Sequence, residues 1–304
     1  MKVLVTGAFG GLGRHVSQEL LDAGFDVTFF DIKTKKNEKV AKNFPPNCIH
    51  WGDITDPKTY PENLSDMDAV IHLAFIIPPK SEERWARKIN VGGTRALLEK
   101  LNAVNPTCRF VFSSSVAVMG VTQHLQPPIT SDHPIIVKDF YTSDKAICEF
   151  LVQESNLDWV ILRFAEAPHL EFDLRPSYLK QMYSIAWYNR VEFIHPKDIA
   201  IACKNAVTTK YSKEIYLIGG GPACQTTFYD QITQLFAIFN LPPPKKEKFN
   251  QNPVWLDWYD TSRSQKVLQF QRHTFEDYIQ DLKKNLGWKV SFIRFFAPLA
   301  KFFI

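Results

Sequence analysis

Lys2-Val3-Leu4-Val5-Thr6-Gly7-Ala8-Phe9-Gly10-Gly11-Leu12-Gly13 decides how the first half of the chain folds. Lys2–Thr6 has the continuous apolar character of a strand buried on both faces. Beyond the glycines, Leu12, Val16, Leu20 and Leu21 recur at helical spacing over residues 11–23, and Gly24 is placed to stop that helix. Strand, glycine turn and helix together make an anion site. Gly7 permits the tight turn, Gly10 lets the backbone approach a pyrophosphate, and Gly13 allows close helix–strand packing. The helix N-terminus aims N–H groups and a positive dipole end at the phosphates. Asp31 closes the next strand, 18 residues after Gly13, where a carboxylate accepts hydrogen bonds from an adenosine ribose. It would repel a 2′-phosphate, which favours NAD; Arg14 and Lys33 are near enough to leave NADP open.

Working outward, strands are predicted at Phe25–Asp31, Cys48–Gly52, Ala69–Ala74, Arg109–Ser113 and Trp159–Arg163, with helices over 82–103 and 140–155. Apolar strands alternating with helices predict an α/β fold, a Rossmann-type doubly wound parallel sheet. Beyond Phe164 the alternation fails. Residues 164–192 and 221–262 read as irregular and rich in Pro and aromatics, around a run at Phe193–His195, a helix after Asp198 and a strand at Ile215–Ile218. Thr274-Phe275-Glu276-Asp277 caps a last helix running to about Asn285. The expected organisation is a nucleotide-binding domain over 1–163, with 193–220 returning to it. A small discontinuous C-terminal substrate-binding cap takes 164–192 and 221–290, and 291–304 form an apolar tail.

Composition narrows the setting. The chain has 304 residues, 45% apolar and 22% charged, enough for a substantial core. Its 36 Lys+Arg against 32 Asp+Glu are dispersed and give only +4, so no nucleic-acid partner is expected. Cys48, Cys108, Cys148, Cys203 and Cys224 are odd in number and form no C-x-x-C, which suits a reducing compartment and argues against disulfides or a metal site. The first strand begins at once, leaving no room for a leader, and no apolar run reaches the roughly 18 residues that span a bilayer. A cytoplasmic protein is expected. The tail Ser291–Ile304 places Arg294 and Lys301 on one helical face, so it could rest on an anionic membrane surface. Alternatively it packs on the cap or a neighbouring subunit, which is favoured because Pro298 should interrupt the helix.

Chemistry enters with Tyr141-Thr142-Ser143-Asp144-Lys145. Tyr141 and Lys145, four apart, share one helix face, and a nearby ammonium favours phenolate, lowering a pKa that starts near 10. The pair follows the serine run Ser113-Ser114-Ser115. In Asp53-Ile54-Thr55-Asp56, Asp53 and the adjacent backbone are placed for an adenine ring, and Asp56 is a helix cap before Pro57. In His72-Leu73-Ala74 the small Ala74 would let a cofactor pass close to the backbone, whereas His72 reads as a packed strand residue.

With these pieces placed, the chain resembles the extended branch of the short-chain dehydrogenase/reductase superfamily, the NAD-dependent epimerase/dehydratase type. The resemblance rests on Thr6–Gly13, Asp31, Asp53-Ile54, His72-Leu73-Ala74, Asn90-Val91-Gly92-Gly93-Thr94, Ser113 to Val118, and Tyr141-x-x-x-Lys145. Phe193 to Ala200 and Leu217 to Gly221 extend it. It implies that Tyr141 is the general acid/base and that Ser115 steadies the substrate oxygen. Lys145 would lower the tyrosine pKa and hold the nicotinamide ribose. Around the cofactor it implies Gly7, Phe9, Gly10, Gly11, Leu12 and Gly13 in the turn. Asp31, Asp53, Ile54, Leu73 and Ala74 follow at strand ends, then Asn90, Ser113 and Lys145. It also implies a homodimer through the helices around 82–103 and 140–155.

Departures from the family pattern limit the substrate. Met119-Gly120 stands for the usual Tyr-Gly, and Arg163-Phe164-Ala165-Glu166-Ala167-Pro168-His169 replaces an Asn- and Gly-Pro-containing turn that helps hold nucleotide sugars. Val116-Ala117 stands where dehydratases place an Asp-Glu pair. Glu166, His169 and His195 are candidates to reach the substrate from the cap. The leading reading is an NAD-dependent oxidoreductase acting on a secondary alcohol or ketone. A nucleotide-sugar epimerase that retains NAD and a non-catalytic NAD(P)-sensing protein stay open beside it.

Overall fold

Val3, Leu4 and Val5 are all buried because β1 (Lys2–Thr6) lies inside a parallel sheet, and their alternation divides the core. Val3 and Val5 face one apolar cluster with Val16, Leu20 and Ile199; Leu4 faces a second with Leu97, Leu101 and Val152. The computed structural model describes residues 1–77, 82–168, 170 and 176–300, with 176–179 and 296–300 as backbone only.

The other strands are β2 (Asp26–Asp31), β3 (Ile49–Trp51), β4 (Ala69–His72), β5 (Arg109–Ser115), β6 (Asp158–Phe164), β7 (Arg190–Glu192), β8 (Glu214–Ile218) and β9 (Gln225–Thr227). Seven form one sheet in the order β3-β2-β1-β4-β5-β6-β8, every pair parallel. β7 and β9 pair antiparallel apart from it. The helices are α1 (Gly13–Asp22), α2 (Lys35–Ala41), α3 (Glu83–Arg87), α4 (Thr94–Val104), α5 (Phe140–Gln153), α6 (Pro176–Tyr183), α7 (Pro196–Thr208), α8 (Phe228–Ala237), α9 (Ser262–Leu268), α10 (Phe275–Leu286) and α11 (Trp288–Ala300). Helices α1 and α7 pack together on one face of the sheet, and α4 and α5 on the other. The order of strands reverses between β1 and β4, which opens a crevice at their C-terminal ends. A third cluster, with Phe193, Phe228, Phe236, Phe249, Phe275 and Tyr278, belongs to the later elements. Each such fully buried side chain contributes about 1.5–3 kcal/mol. Among the described residues no helix is long and apolar enough to cross a membrane.

Three local expectations change. The helix predicted over 82–103 widens into a π turn at Lys88–Gly93 between α3 and α4. Gly93 makes room there: a Cβ on it would lie 2.7 Å from Cγ2 of Ile54. The stretches read as irregular hold α6, α8, β7 and β9. Thr227 caps α8 by accepting the Asp230 N–H, and Phe228, Ile232, Leu235 and Phe236 line its buried face, a pattern hidden among aromatics. β7 ends just before the Phe193–His195 run, and Phe193 forms an isolated bridge with Glu166. Pro298 does not interrupt α11, which continues through it to Ala300, although the residue offers the helix no N–H.

Candidate active site

The glycine turn is built so tightly that side chains are excluded. Gly7 has φ +68°, and a Cβ on it would sit 2.8 Å from the Ala74 backbone; one on Gly13 would sit 2.0 Å from the Gly7 carbonyl. Asp31 fastens this turn to β2. Its Oδ2 accepts the Phe9 N–H at 2.8 Å, while Oδ1 accepts the Ile32 N–H at 2.8 Å and Nδ2 of Asn37 at 3.1 Å. Burial pushes the Asp31 carboxyl above its ordinary value, and the two backbone N–H groups pull it back. The Phe9 side chain turns into the core against Trp51, Phe44 and Phe29, so this residue meets the crevice with neither its ring nor its N–H.

Two lobes open from the turn. The first is lined by Gly7, Gly10, Asp31, Asp53, Ile54, Leu73, Ala74 and Trp85 among others. Asp53 reaches it with a carboxylate already engaged: Oδ1 accepts the Thr55 N–H and hydroxyl, both at 2.8 Å. Asp56 caps the next turn by accepting the Lys58 N–H. His72 is packed, bonded to the hydroxyls of Thr6 at 2.7 Å and Thr94 at 2.9 Å, and burial lowers its pKa to about 3, so the ring is neutral.

The second lobe brings Gly10, Gly11, Leu12 and Gly13 together with Ser113, Ser115, Tyr141, Lys145 and Glu166. Helix α5 starts here because Asp139 and Thr142 form a capping box, which fixes where Tyr141 points. Ser115 lies close enough to the Tyr141 phenol to pull its pKa down, and its Oγ accepts the Ala117 N–H at 3.2 Å. Lys145 Nζ donates to the Ser113 carbonyl at 2.5 Å and lies 3.6 Å from the centre of the Phe75 ring, which in turn meets Tyr141 edge-on. Burial governs both groups. It lowers the Lys145 pKa to about 7 and raises the Tyr141 phenol above its ordinary value, against the pull of Ser115. Lys145 is not among the groups that shift the phenol, so the expected lowering by its ammonium is not found; burial raises the phenol and Ser115 alone pulls it down.

Asn90 sits behind the lobe in the π turn. It accepts the Ile76 N–H at 2.9 Å and donates to the Ile76 carbonyl and to Asp144. Sequence reasoning missed Asp144 itself, held by Arg87 at 2.7 Å, and Phe75, which lines both lobes. It also missed the buried pair Glu149–Arg163, although Glu149 follows Lys145 by one turn on the same face. That spacing was the available signal.

The three candidates from the cap part ways. Glu166 lines the second lobe and accepts Nε2 of Gln231 at 2.6 Å. His169 lies outside the described residues. His195 is not among the residues lining the lobe. Its Nδ1 caps α7 by accepting the Lys197 N–H at 3.1 Å, its ring stacks on His273 at 4.7 Å, and burial lowers its pKa to about 4. Asp281 of α10 is held by Lys197 of α7, while the neutral His195 ring packs edge-on against Tyr278 of α10.

Burial raises the Glu166 pKa from 4.5 to about 7. A raised carboxyl pKa means the folded chain holds the proton that the unfolded chain has released. Stability should therefore fall as pH rises from about 4.5 to about 7, a loss that Glu166→Gln removes. Denaturant unfolding of both proteins across this range checks it; parallel pH curves would contradict it.

With the geometry in place, comparison with known proteins is informative. Residues 3–170 match the model of the NAD dependent epimerase/dehydratase family. A UDP-glucose 4-epimerase of Lactobacillus helveticus is 34% identical over 154 residues, 49% of this chain and 45% of the relative. A D-erythronate dehydrogenase of Haemophilus influenzae is 30% identical over 182 residues, 54% of each chain. The chain thus spans about half the length of these curated relatives. Among solved structures, a short-chain dehydrogenase/reductase superfamily protein of Agrobacterium tumefaciens with bound NAD superposes with TM-score 0.75 at 22% identity, covering 99% of both chains. A UDP-glucose-4-epimerase of Stenotrophomonas maltophila with bound NAD and formylated UDP-arabinopyranose gives TM-score 0.77 at 20% identity, over 97% of this chain and 99% of that one. These solved structures share the fold, and the family match covers more than half of the sequence: the chain belongs to the NAD dependent epimerase/dehydratase family.

Proposed function

We propose that the chain is an NAD-dependent oxidoreductase that acts reversibly at the carbon of a secondary alcohol or ketone. The observation that carries this reading is the Ser115–Tyr141–Lys145 group at the end of a glycine crevice closed by Asp31. The residues fit a dinucleotide: Gly7 and Gly13 keep clear the space that a Cβ would fill, and Asp31 faces the first lobe. NAD, when bound, supplies or accepts the hydride. Tyr141 gives or takes the proton at the substrate oxygen, and Ser115 donates a hydrogen bond that steadies charge developing there. Lys145, held by the Ser113 carbonyl, lines the same lobe and would hold the nicotinamide ribose. The Arg163–His169 turn, with Met119-Gly120, supports a substrate other than a nucleotide sugar, and Val116-Ala117 in place of an Asp-Glu pair argues against sugar dehydration.

Absorbance of reduced nicotinamide on mixing with NAD and a panel of secondary alcohols tests the reading, since an epimerase would release none. Cofactor choice is tested separately. Asp31→Asn should weaken NAD binding about 10- to 100-fold, because hydrogen bonds to a charged acceptor contribute roughly 1.5–3 kcal/mol. NADP should gain, as the repelling charge is gone. Calorimetric titration of both cofactors measures this, and an unchanged NAD affinity would remove Asp31 from the site.

Residues 1–163 with 193–220 then form the nucleotide-binding domain, and 164–192 with 221–290 the cap that selects substrate. A reducing, cytoplasmic setting fits five free cysteines. A homodimer through the helices spanning Glu83 to Val104 and α5 would cover Trp85 and Phe150, both exposed there; mass in solution tests it.

A further inference from the structure

Helix α11 is attached to the protein by one face and leaves an aromatic face outside. Val290 is buried and Ile293 packs in the cap cluster, while Nε of Arg294 donates to the Ile238 carbonyl at 2.9 Å. Trp288, Phe292 and Phe295 stand at i, i+4 and i+7, on the opposite face. They are 73%, 56% and 78% exposed, and the first two rings meet edge-on at 6.0 Å. Arg294 therefore faces the cap rather than joining an outward cationic face.

The cations beside the aromatic face come from other positions. Lys284 and Lys289 are exposed and Lys283 is half-buried, on either side of the Gly287 bend between α10 and α11. From Leu282 to Ile304 the sequence carries five Lys and Arg and no Asp or Glu. Aromatic rings in a row, flanked by lysines and free of carboxylates, match the boundary of an anionic bilayer, where apolar area and charge add. A second copy of the chain matches poorly. A two-fold contact through this face would bring Lys283, Lys284 and Lys289 against the same lysines, with no carboxylate in either segment.

We propose that the α11 face formed by Trp288, Phe292 and Phe295, with Lys283, Lys284 and Lys289 beside it, rests the folded enzyme on an anionic membrane surface. The helix lies in the interface plane and does not cross it. Binding needs both contributions, so raising salt should release the protein even though the rings stay apolar.

The test is sedimentation of the full-length, NAD-supplemented protein with vesicles of phosphatidylcholine alone, or with about one-third phosphatidylserine, at low and high salt. The wild type should pellet with the anionic vesicles and remain in solution with the neutral ones. Trp288→Ser/Phe292→Ser/Phe295→Ser and Lys283→Gln/Lys284→Gln/Lys289→Gln should each lower the partition coefficient at least about tenfold, since each removes one contribution. Thermal unfolding and NAD titration of each variant confirm that the fold persists. Absence of wild-type binding, equal binding to both vesicle types, or a dimer that the aromatic replacements dissociate without any vesicle binding would each overturn the proposal.

Discussion

Tyr141→Phe is expected to lower turnover by about 10²–10⁴-fold, the usual contribution of a positioned acid or base, while NAD affinity stays nearly unchanged. The substitution removes one oxygen and keeps the ring, so the edge-on contact with Phe75 and the burial of Lys145 beneath that ring survive. What is lost is the proton carrier next to Ser115. Burial holds the phenol above its ordinary value near 10, so across the neutral range it is protonated and serves as a donor in the reducing direction. In the oxidising direction the same group must lose its proton, so the rate should climb with pH. Phenylalanine should flatten that climb along with lowering the rate. Single-turnover rates in both directions over pH, with calorimetric NAD affinity alongside, check the expectation. Retained turnover would separate Tyr141 from the chemistry.

Much of this site could be read in the sequence because its parts obey short-range rules. The glycine turn depends on space at Gly7 and Gly13, and Tyr141 and Lys145 depend on one helical turn. Those constraints lie within a few residues of each other. The Asp31 clamp on Phe9 was not legible, because it depends on where β2 ends relative to the turn. Phe75 was missed for a similar reason: its ring position over Lys145 follows from packing across three segments. The cap was hardest. Helix α8 is capped and apolar at regular spacing, yet its neighbours are so rich in aromatics that periodicity alone did not separate it. His195 shows the converse error. A histidine near a family signature suggested the cleft, whereas its ring caps α7 and packs against His273 and against Tyr278 of α10.

Arg163→Met should destabilise the protein by about 3–5 kcal/mol, the cost of leaving one member of a buried ion pair alone. Arg163 and Glu149 are 3% and 0% exposed, and both guanidinium contacts to the carboxylate are short, at 2.9 and 2.8 Å. The same carboxylate accepts the Ser114 hydroxyl at 2.5 Å, and Arg163 also donates to the Ser131 carbonyl. One charge pair therefore ties β6, the end of β5, α5 and the segment before it. Methionine fills much of the volume of the arginine stem, so the loss measures the stranded carboxylate more than a cavity. Replacing Glu149 by Leu as well should recover part of the stability, because no uncompensated charge is then buried. Activity should not recover with it. Ser115 follows Ser114 on β5, Tyr141 and Lys145 lie on the helix that carries Glu149, and Glu166 follows the strand that carries Arg163. The ion pair thus sets the mutual register of Tyr141, Ser115 and Glu166. Denaturant unfolding of the wild type, both single variants and the double variant, paired with turnover of each, measures the two effects separately. A single-variant loss below about 1 kcal/mol, the size of an exposed surface pair, would show that this pair does not hold the three elements together.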